Sequence, residues 1–293
     1  MSFTEFEPRE PIFQYTSFEG FKGILRSKSL WLSDLRSLND PRELVLGLGK
    51  VRNIAEELLQ ENPEWGTQQL RKKLERSYSF VQNTNLFTAS FCPKGDSMPL
   101  WQHYGDTGKG VAIGFRPRAI LDMAGRLQKV EYLSDDSPLG DLKQALRKVI
   151  EPFGRLDGKV SLENEISLSA AIASKCTSIK HSTWDHESEI RIVYSQPPER
   201  KATDFLRNVT GEFKDGNEYN WREPSVRKST SGEVQFIPLE FGKRVGAEFD
   251  PTSAIARVYV GSQSVQSVPE VQAILESEGF RNFQVQNSEC IWR

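Results

Sequence analysis

Lys180-His181-Ser182-Thr183-Trp184-Asp185-His186-Glu187-Ser188-Glu189-Ile190-Arg191-Ile192-Val193-Tyr194 ends as a strand, with Ile190, Ile192 and Tyr194 alternating against Glu189, Arg191 and Val193. Carried backwards, the alternation predicts that Glu187, Glu189 and Arg191 share one face, with roughly 6.6 Å between neighbours. A Glu-x-Glu-x-Arg row turned into a sheet's interior is costly unless its charges are paired or used. Two readings follow from the residues. In one, Arg191 neutralises a glutamate in a structural ion pair. In the other, a carboxylate binds a hydroxyl or activates a nucleophile while its neighbour tunes it. Lys180 and Trp184 upstream fit a phosphate contact and a stacking wall, although a Trp also serves as core.

Working outward, Ile12 to Tyr15 reads as a strand running into a helix. Thr16 fits an N-cap with Glu19 three residues on, a capping box, and Phe18, Phe21, Ile24 and Leu25 form the apolar face. That strand-to-helix junction, Gln14-Tyr15-Thr16-Ser17, favours phosphate as well as a simple cap. Leu30-Trp31-Leu32 reads as a strand. Asn39-Asp40-Pro41-Arg42-Glu43 predicts the next helix start, with Asp40 as the cap, Pro41 at the first position and Glu43 at the third. Capping accounts for both acids without a metal, and Asn39 remains as a polar group of the loop or the site. Leu44, Leu48, Val51, Ile54, Ala55 and Leu58 line one side of that helix, and a more polar helix follows over roughly Thr67 to Val81.

Strands are predicted over Asn85 to Cys92, Gly110 to Phe115, Leu127 to Leu133, Val234 to Phe241, Ala256 to Val260 and Phe283 to Gln286. Helices are predicted over Leu139 to Ile150, Leu162 to Ile179 and Pro269 to Ser277. Gly105 to Gly110 reads as a hairpin turn, and Gln196 to Gly232 as a long polar excursion. The expected fold is a single α+β domain over 1–293, with a mixed or antiparallel central sheet, flanking helices, and helical insertions near 41–82 and 138–180.

Composition narrows the function classes. Lys and Arg total 38 against 40 Asp and Glu, a net charge of -2, which implies no global nucleic-acid field. Three widely spaced cysteines, Cys92, Cys176 and Cys290, argue against a disulfide scaffold or a structural zinc site. His103, His181 and His186 form no metal-binding pattern, and neither a nucleophile elbow, a Walker loop nor a dinucleotide glycine fingerprint occurs. No metal is expected. With no signal-peptide run and no membrane-length apolar segment, a cytoplasmic protein without membrane contact is expected.

The ordered set Tyr15-Thr16-Ser17, Gly23-Ile24-Leu25, Leu30-Trp31-Leu32-Ser33, Asn39-Asp40-Pro41 with Glu43, Ser90-Phe91-Cys92, Leu100-Trp101 with Tyr104, and Gly110 to Phe115 resembles bacterial domain-of-unknown-function family 2971. Lys180, Trp184, Glu187, Glu189, Arg191, Val260-Gly261 and Ser288 complete the pattern. The opening strand, Tyr-Thr-Ser and helix are also similar to ADP-ribosyltransferase-like domains. That second resemblance implies a split sheet, NAD as substrate, and a protein or nucleic acid as acceptor, in a toxin or phage-defence setting. In such domains a His or Arg at the first strand's end grips NAD, a mid-chain hydroxyl or aromatic frames the nicotinamide, and a late Glu bonds the ribose. By position these roles fall to Gln14 or Tyr15, to Ser90 or Tyr104, and to Glu189 or Glu187. This chain departs from the pattern in having Gln14 and Tyr15 where His or Arg is expected. Two other readings compete: a metal-dependent nuclease or hydrolase built on Asp40, Glu43, Glu187 and Glu189, and a binding module whose Tyr15, Trp101, Tyr104 and Trp184 line a nucleotide or peptide pocket.

Overall fold

Apolar alternation builds the sheets of this chain, and long amphipathic repeats build its helices. The computed structural model describes residues 6–38, 40, 42–65, 68–134, 140–155, 162–199, 222–229, 232–243 and 248–291. Asn39 and most of the predicted 196–232 excursion lie outside the described residues. In chain order the elements are β1 (Ile12–Thr16), α1 (Phe18–Ser27), β2 (Ser29–Asp34), α2 (Glu43–Glu61), α3 (Gln68–Asn83), β3 (Asn85–Phe91), α4 (Met98–Tyr104), β4 (Val111–Phe115), α5 (Pro117–Leu121) and β5 (Arg126–Lys129). There follow β6 (Glu131–Leu133), α6 (Gly140–Gly154), α7 (Leu162–Thr177), β7 (Ile179–His181), β8 (Ile190–Gln196), β9 (Ser225–Ser229), β10 (Gly232–Glu240), β11 (Ile255–Val260), α8 (Val268–Ser277) and β12 (Gln284–Asn287).

The strands form three sheets. One has the order β1-β4-β11-β12, antiparallel except for the parallel β11–β12 pair. The larger has the order β5-β8-β3-β2-β10-β9 and is antiparallel throughout. A short parallel pair, β6–β7, stands apart. The fold is α+β, with mixed and antiparallel sheets flanked by helices. Among the described residues no helix is long and apolar enough to cross a membrane.

Period-two alternation divides the larger sheet's faces. Leu30, Leu32, Phe87, Ala89, Phe91, Ile190, Ile192, Ile237 and Leu239 pack against β1, β4, β11, α1 and α8 in the main core. The opposite face meets a second core at Leu86 and Val193, made by α2, α3, α6 and α7. On the remainder of that face stand Trp31, Ser33, Thr88, Ser90 and Arg191. Besides packing through the main core, the two larger sheets are hydrogen-bonded at one isolated bridge among the described residues, where Phe13 and Cys92 exchange backbone hydrogen bonds of 2.8 Å.

Several local expectations are corrected. Ser17, rather than Thr16, caps α1 by accepting from Gly20 N at 3.2 Å, so Glu19 falls one position short of a capping box. The predicted strand from Leu127 to Leu133 breaks at Val130, whose N–H bonds to Glu189, while Glu131 N–H turns to Ser178, so the chain changes sheets. Helix α7 stops at Thr177, and Ile179 pairs with Glu131 in β7. Gly105 to Gly110 links α4 to β4, with positive φ at Asp106, Thr107 and Gly108. β9 pairs with β10 inside the stretch read as an excursion.

Candidate functional site

A cavity of about 350 Å³ opens beside the Phe13–Cys92 bridge, within the size range of small-ligand sites. Its wall takes Phe13, Gln14 and Tyr15 from β1, Trp31 and Ser33 from β2, and the run Thr88 to Cys92 around β3. Tyr104 and His103 enter from α4, Glu43 from α2, and Lys180, Glu187, Glu189 and Arg191 from the segment read first.

That segment does not hold its carboxylates by continuous strand alternation. Ser182 to Glu187 winds as a 3-10 turn, and Ser188 takes φ 46, the left-handed conformation uncommon for a serine. The turn brings Glu187 back beside Glu189, which precedes β8. Lys180 Nζ lies 2.5 Å from Glu187 Oε2 and 3.3 Å from Glu189 Oε2. Its ammonium also stands 4.9 Å from the Trp184 ring centre, a cation–π contact.

Arg191 is completely buried, and each of its three guanidinium nitrogens donates to a protein oxygen. Its Nε and Nη2 donate to Glu189 Oε1 at 2.9 and 2.8 Å, and its Nη1 donates to Glu43 Oε1 and to the Thr177 carbonyl. Ser90 Oγ donates to Glu189 Oε1, Tyr104 OH donates to Glu187 Oε1, and Glu189 N–H donates to Tyr132 OH at 2.7 Å. A buried ion network is tolerable only when hydrogen bonds complete it in this way.

The network separates the acids. Burial alone would raise the Glu189 carboxyl, but Arg191, Lys180 and Ser90 together hold it below the ordinary value. For Glu43, burial outweighs Arg191 and the carboxyl is raised, with the neighbouring Glu189 carboxylate adding to the rise. Lys180 is raised: burial opposes its charge, and Glu189 and Glu187 more than compensate. Glu43 therefore belongs to the site through Arg191. The expected cap is corrected: Asp40 Oδ1 accepts from Arg42 N at 3.0 Å ahead of the helix, while α2 begins at Glu43 with Arg42 at the N-cap position and no side-chain cap bond, and Pro41 lies outside the described residues.

The remaining expected residues divide. Ser90, Tyr15, Tyr104, Lys180, Arg191, Glu187 and Glu189 line the cavity together. Tyr15 presents its ring, since its hydroxyl donates to Lys94 O and accepts from Ser97 N, and burial raises its pKa. Trp101 lies behind the wall, fully buried, edge-on to Tyr15 at 4.9 Å and bonded to Asp96. Thr16, Ser17 and Trp184 do not line the cavity. Trp31, Ser33, Thr88, His103 and Arg227 also line it, although the sequence assigned them no role in the site. For Trp31 and Ser33 a signal was present, because they alternate with the core residues Leu30 and Leu32. Among the described residues no group of three His, Cys, Asp or Glu is disposed to hold a metal ion.

The span from α4 to the start of β8 brings Tyr104, Lys180, Glu187, Glu189 and Arg191 into this wall. Residues 100–192 match DUF2971, a protein family of unknown function. The DUF2971 match thus takes in the carboxylate network, while Gln14, Glu43 and Ser90 reach the cavity from outside the matched residues. No curated protein and no solved structure matches the chain.

Proposed function

We propose that this protein is an ADP-ribosyltransferase-like enzyme that uses NAD to modify a protein or a nucleic acid. The observation that carries the reading is convergence: the end of β1, Ser90 and both glutamates of Glu187-x-Glu189 line one cavity. Two sheets hydrogen-bonded to each other beside it only at the Phe13–Cys92 bridge, among the described residues, support the split sheet that the resemblance implies.

Breaking the nicotinamide–ribose bond sends its electron pair to the nicotinamide and leaves oxocarbenium charge on the sugar. A preorganised carboxylate stabilises that charge more than it stabilises ground-state NAD. Glu189 suits the task, since its depressed pKa keeps it ionised and Ser90 and Arg191 fix its position. Glu187 holds one side-chain donor on each oxygen, which leaves acceptor capacity for a ribose hydroxyl or for the proton released as the acceptor attacks. Glu189 is the preferred catalytic residue and Glu187 the second.

The test is nicotinamide release from NAD in the presence of protein, DNA or RNA acceptors. Glu189→Gln and Glu187→Gln, confirmed folded by thermal melting, should each lower kcat by about 10²–10³-fold. Absence of release with every acceptor class would overturn the reading. Binding without turnover is the second reading, favoured by the neutralisation of Glu189 by Arg191 and Lys180.

A further inference from the structure

Beyond the carboxylates, a polar strip crosses the same face of the larger sheet. Ser90 stands opposite Arg191, Thr88 opposite Ser33, and Ser33 opposite Phe236, so the strip runs from β8 over β3 and β2 to β10. From β8 to β2 it covers two strand spacings, roughly 10 Å. Thr88 is 2 % exposed, and its Oγ1 has no hydrogen-bond partner among the described residues. Gln14 Oε1, in the wall contributed by β1, is unpaired in the same way. Native proteins leave few buried polar atoms unpaired, and two in the wall of one cavity mark where a ligand's polar groups enter.

At the outer end of the strip the chemistry changes sign. Of the Lys and Arg side chains lining the cavity, Lys180 and Arg191 are committed to carboxylates. Arg227 is exposed, donates from Nη2 to Ser33 Oγ at 3.0 Å, and has no acidic partner among the described residues. Next to it Trp31 stacks on Phe236, centroids 4.7 Å apart at 27°, and stays 43 % open to solvent. A guanidinium with donors to spare suits a phosphate, and a half-open indole suits a planar base.

We propose that Thr88, Ser33, Arg227 and Trp31 bind the nucleoside diphosphate half of the dinucleotide, with phosphate at Arg227 and base against Trp31. This rests on the NAD reading for the identity of the other half, whose ribose lies at the glutamates. It also answers the chain's departure at Gln14 and Tyr15: the cation missing from the end of β1 is supplied from β9.

The experiment is calorimetric titration of the full-length protein with ADP, and with adenosine as the phosphate-free probe. Arg227→Gln and Trp31→Leu change exposed side chains, and thermal melting checks that each variant is folded. Arg227→Gln removes the charge-assisted contact to phosphate, so it should weaken ADP about tenfold or more and leave adenosine unchanged. Trp31→Leu should weaken both probes. In turnover these two variants act on KM for NAD, whereas Glu189→Gln acts on kcat. Failure of ADP to bind at millimolar concentration, or equal ADP binding by wild type and both variants, overturns the proposal. ADP binding that follows Arg227 and Trp31 without any nicotinamide release supports the strip and counts against the transferase reading. NAD turnover with KM indifferent to both residues does the reverse.

Discussion

Arg191 ties Glu189, two residues before it, to Glu43 at the first turn of α2, with Nη2 at 2.8 Å from Glu189 Oε1 and Nη1 on Glu43. One guanidinium thus joins the larger sheet to the helical layer and fixes the floor of the cavity. Removing it would take the guanidinium donor from the Glu43 carboxylate and the Thr177 carbonyl, and would leave the Glu189 carboxylate to Ser90 and Lys180.

Breaking a buried ion pair from one side costs about 3–5 kcal/mol, and Arg191→Met should lose stability on that scale in chemical denaturation. Arg191→Lys should be substantially destabilised too, because an ammonium cannot reproduce a fork that spans two carboxylates. A lysine variant as stable as wild type would show that the fork is not what joins the layers.

Glu189 and Glu43 should give opposite pH dependences. The Glu189 carboxyl is depressed, so its stabilising contribution is present above the ordinary glutamate value of 4.5 and is lost as pH falls through the lower folded value. The Glu43 carboxyl is raised, so its contribution is complete below 4.5 and is lost as pH rises through the higher folded value. Glu43→Gln should therefore gain on wild type as pH rises above 4.5, and Glu189→Gln should close its deficit in acid. Unfolding free energies measured across pH 3 to 8 check both directions; parallel curves for wild type and Glu43→Gln would contradict the first.

Two glycines of α2 should respond to alanine with opposite signs. A Cβ on Gly47 would come within 2.0 Å of the Cys176 carbonyl on α7, whereas one on Gly49 meets nothing within 4 Å. Gly49→Ala should stabilise by about 0.5–1 kcal/mol through helix propensity. Gly47→Ala should destabilise by about 1–3 kcal/mol through overpacking. Gly47 is one turn from Glu43, so its substitution should also reduce turnover. Thermal melts of the two variants decide the signs.

Cys92 lines the cavity, yet burial pushes its thiol up to about 12, and the same holds for Cys176. Since the thiolate is the reactive form, both should resist maleimide at neutral pH until the chain unfolds. Rapid labelling of native Cys92, read by mass spectrometry of its peptide, would contradict this.

The α+β class and most elements were legible because they carry a period. Leu30, Leu32, Ile190 and Ile192 alternate as buried strands must, and Val51, Ile54, Ala55 and Leu58 repeat as a buried helical face does. The turn from Ser182 to Glu187 was not legible, because one short 3-10 turn has no period to read. β9 escaped because Val226, Arg227 and Lys228 are exposed and show no apolar alternation. Within the site, Lys180 with Glu187, Glu189 and Arg191 stood out as a local charge cluster. Glu43 was misread as part of a cap because its partner lies far along the chain, and a pairing of that kind leaves no local trace.

The stretch from Thr177 to Arg191 supplies a carbonyl, an ammonium, two carboxylates and a guanidinium to one cluster, and its path is set by the 3-10 turn and the left-handed Ser188. Spacing is consequently as much a part of this site as residue identity. A single residue inserted between Lys180 and Glu187 would carry the carboxylate out of reach of both Lys180 and Tyr104 without changing one functional side chain. Chains that share these residues at other intervals should not be credited with the same chemistry, and a designer moving the cluster to another scaffold would have to move the turn with it.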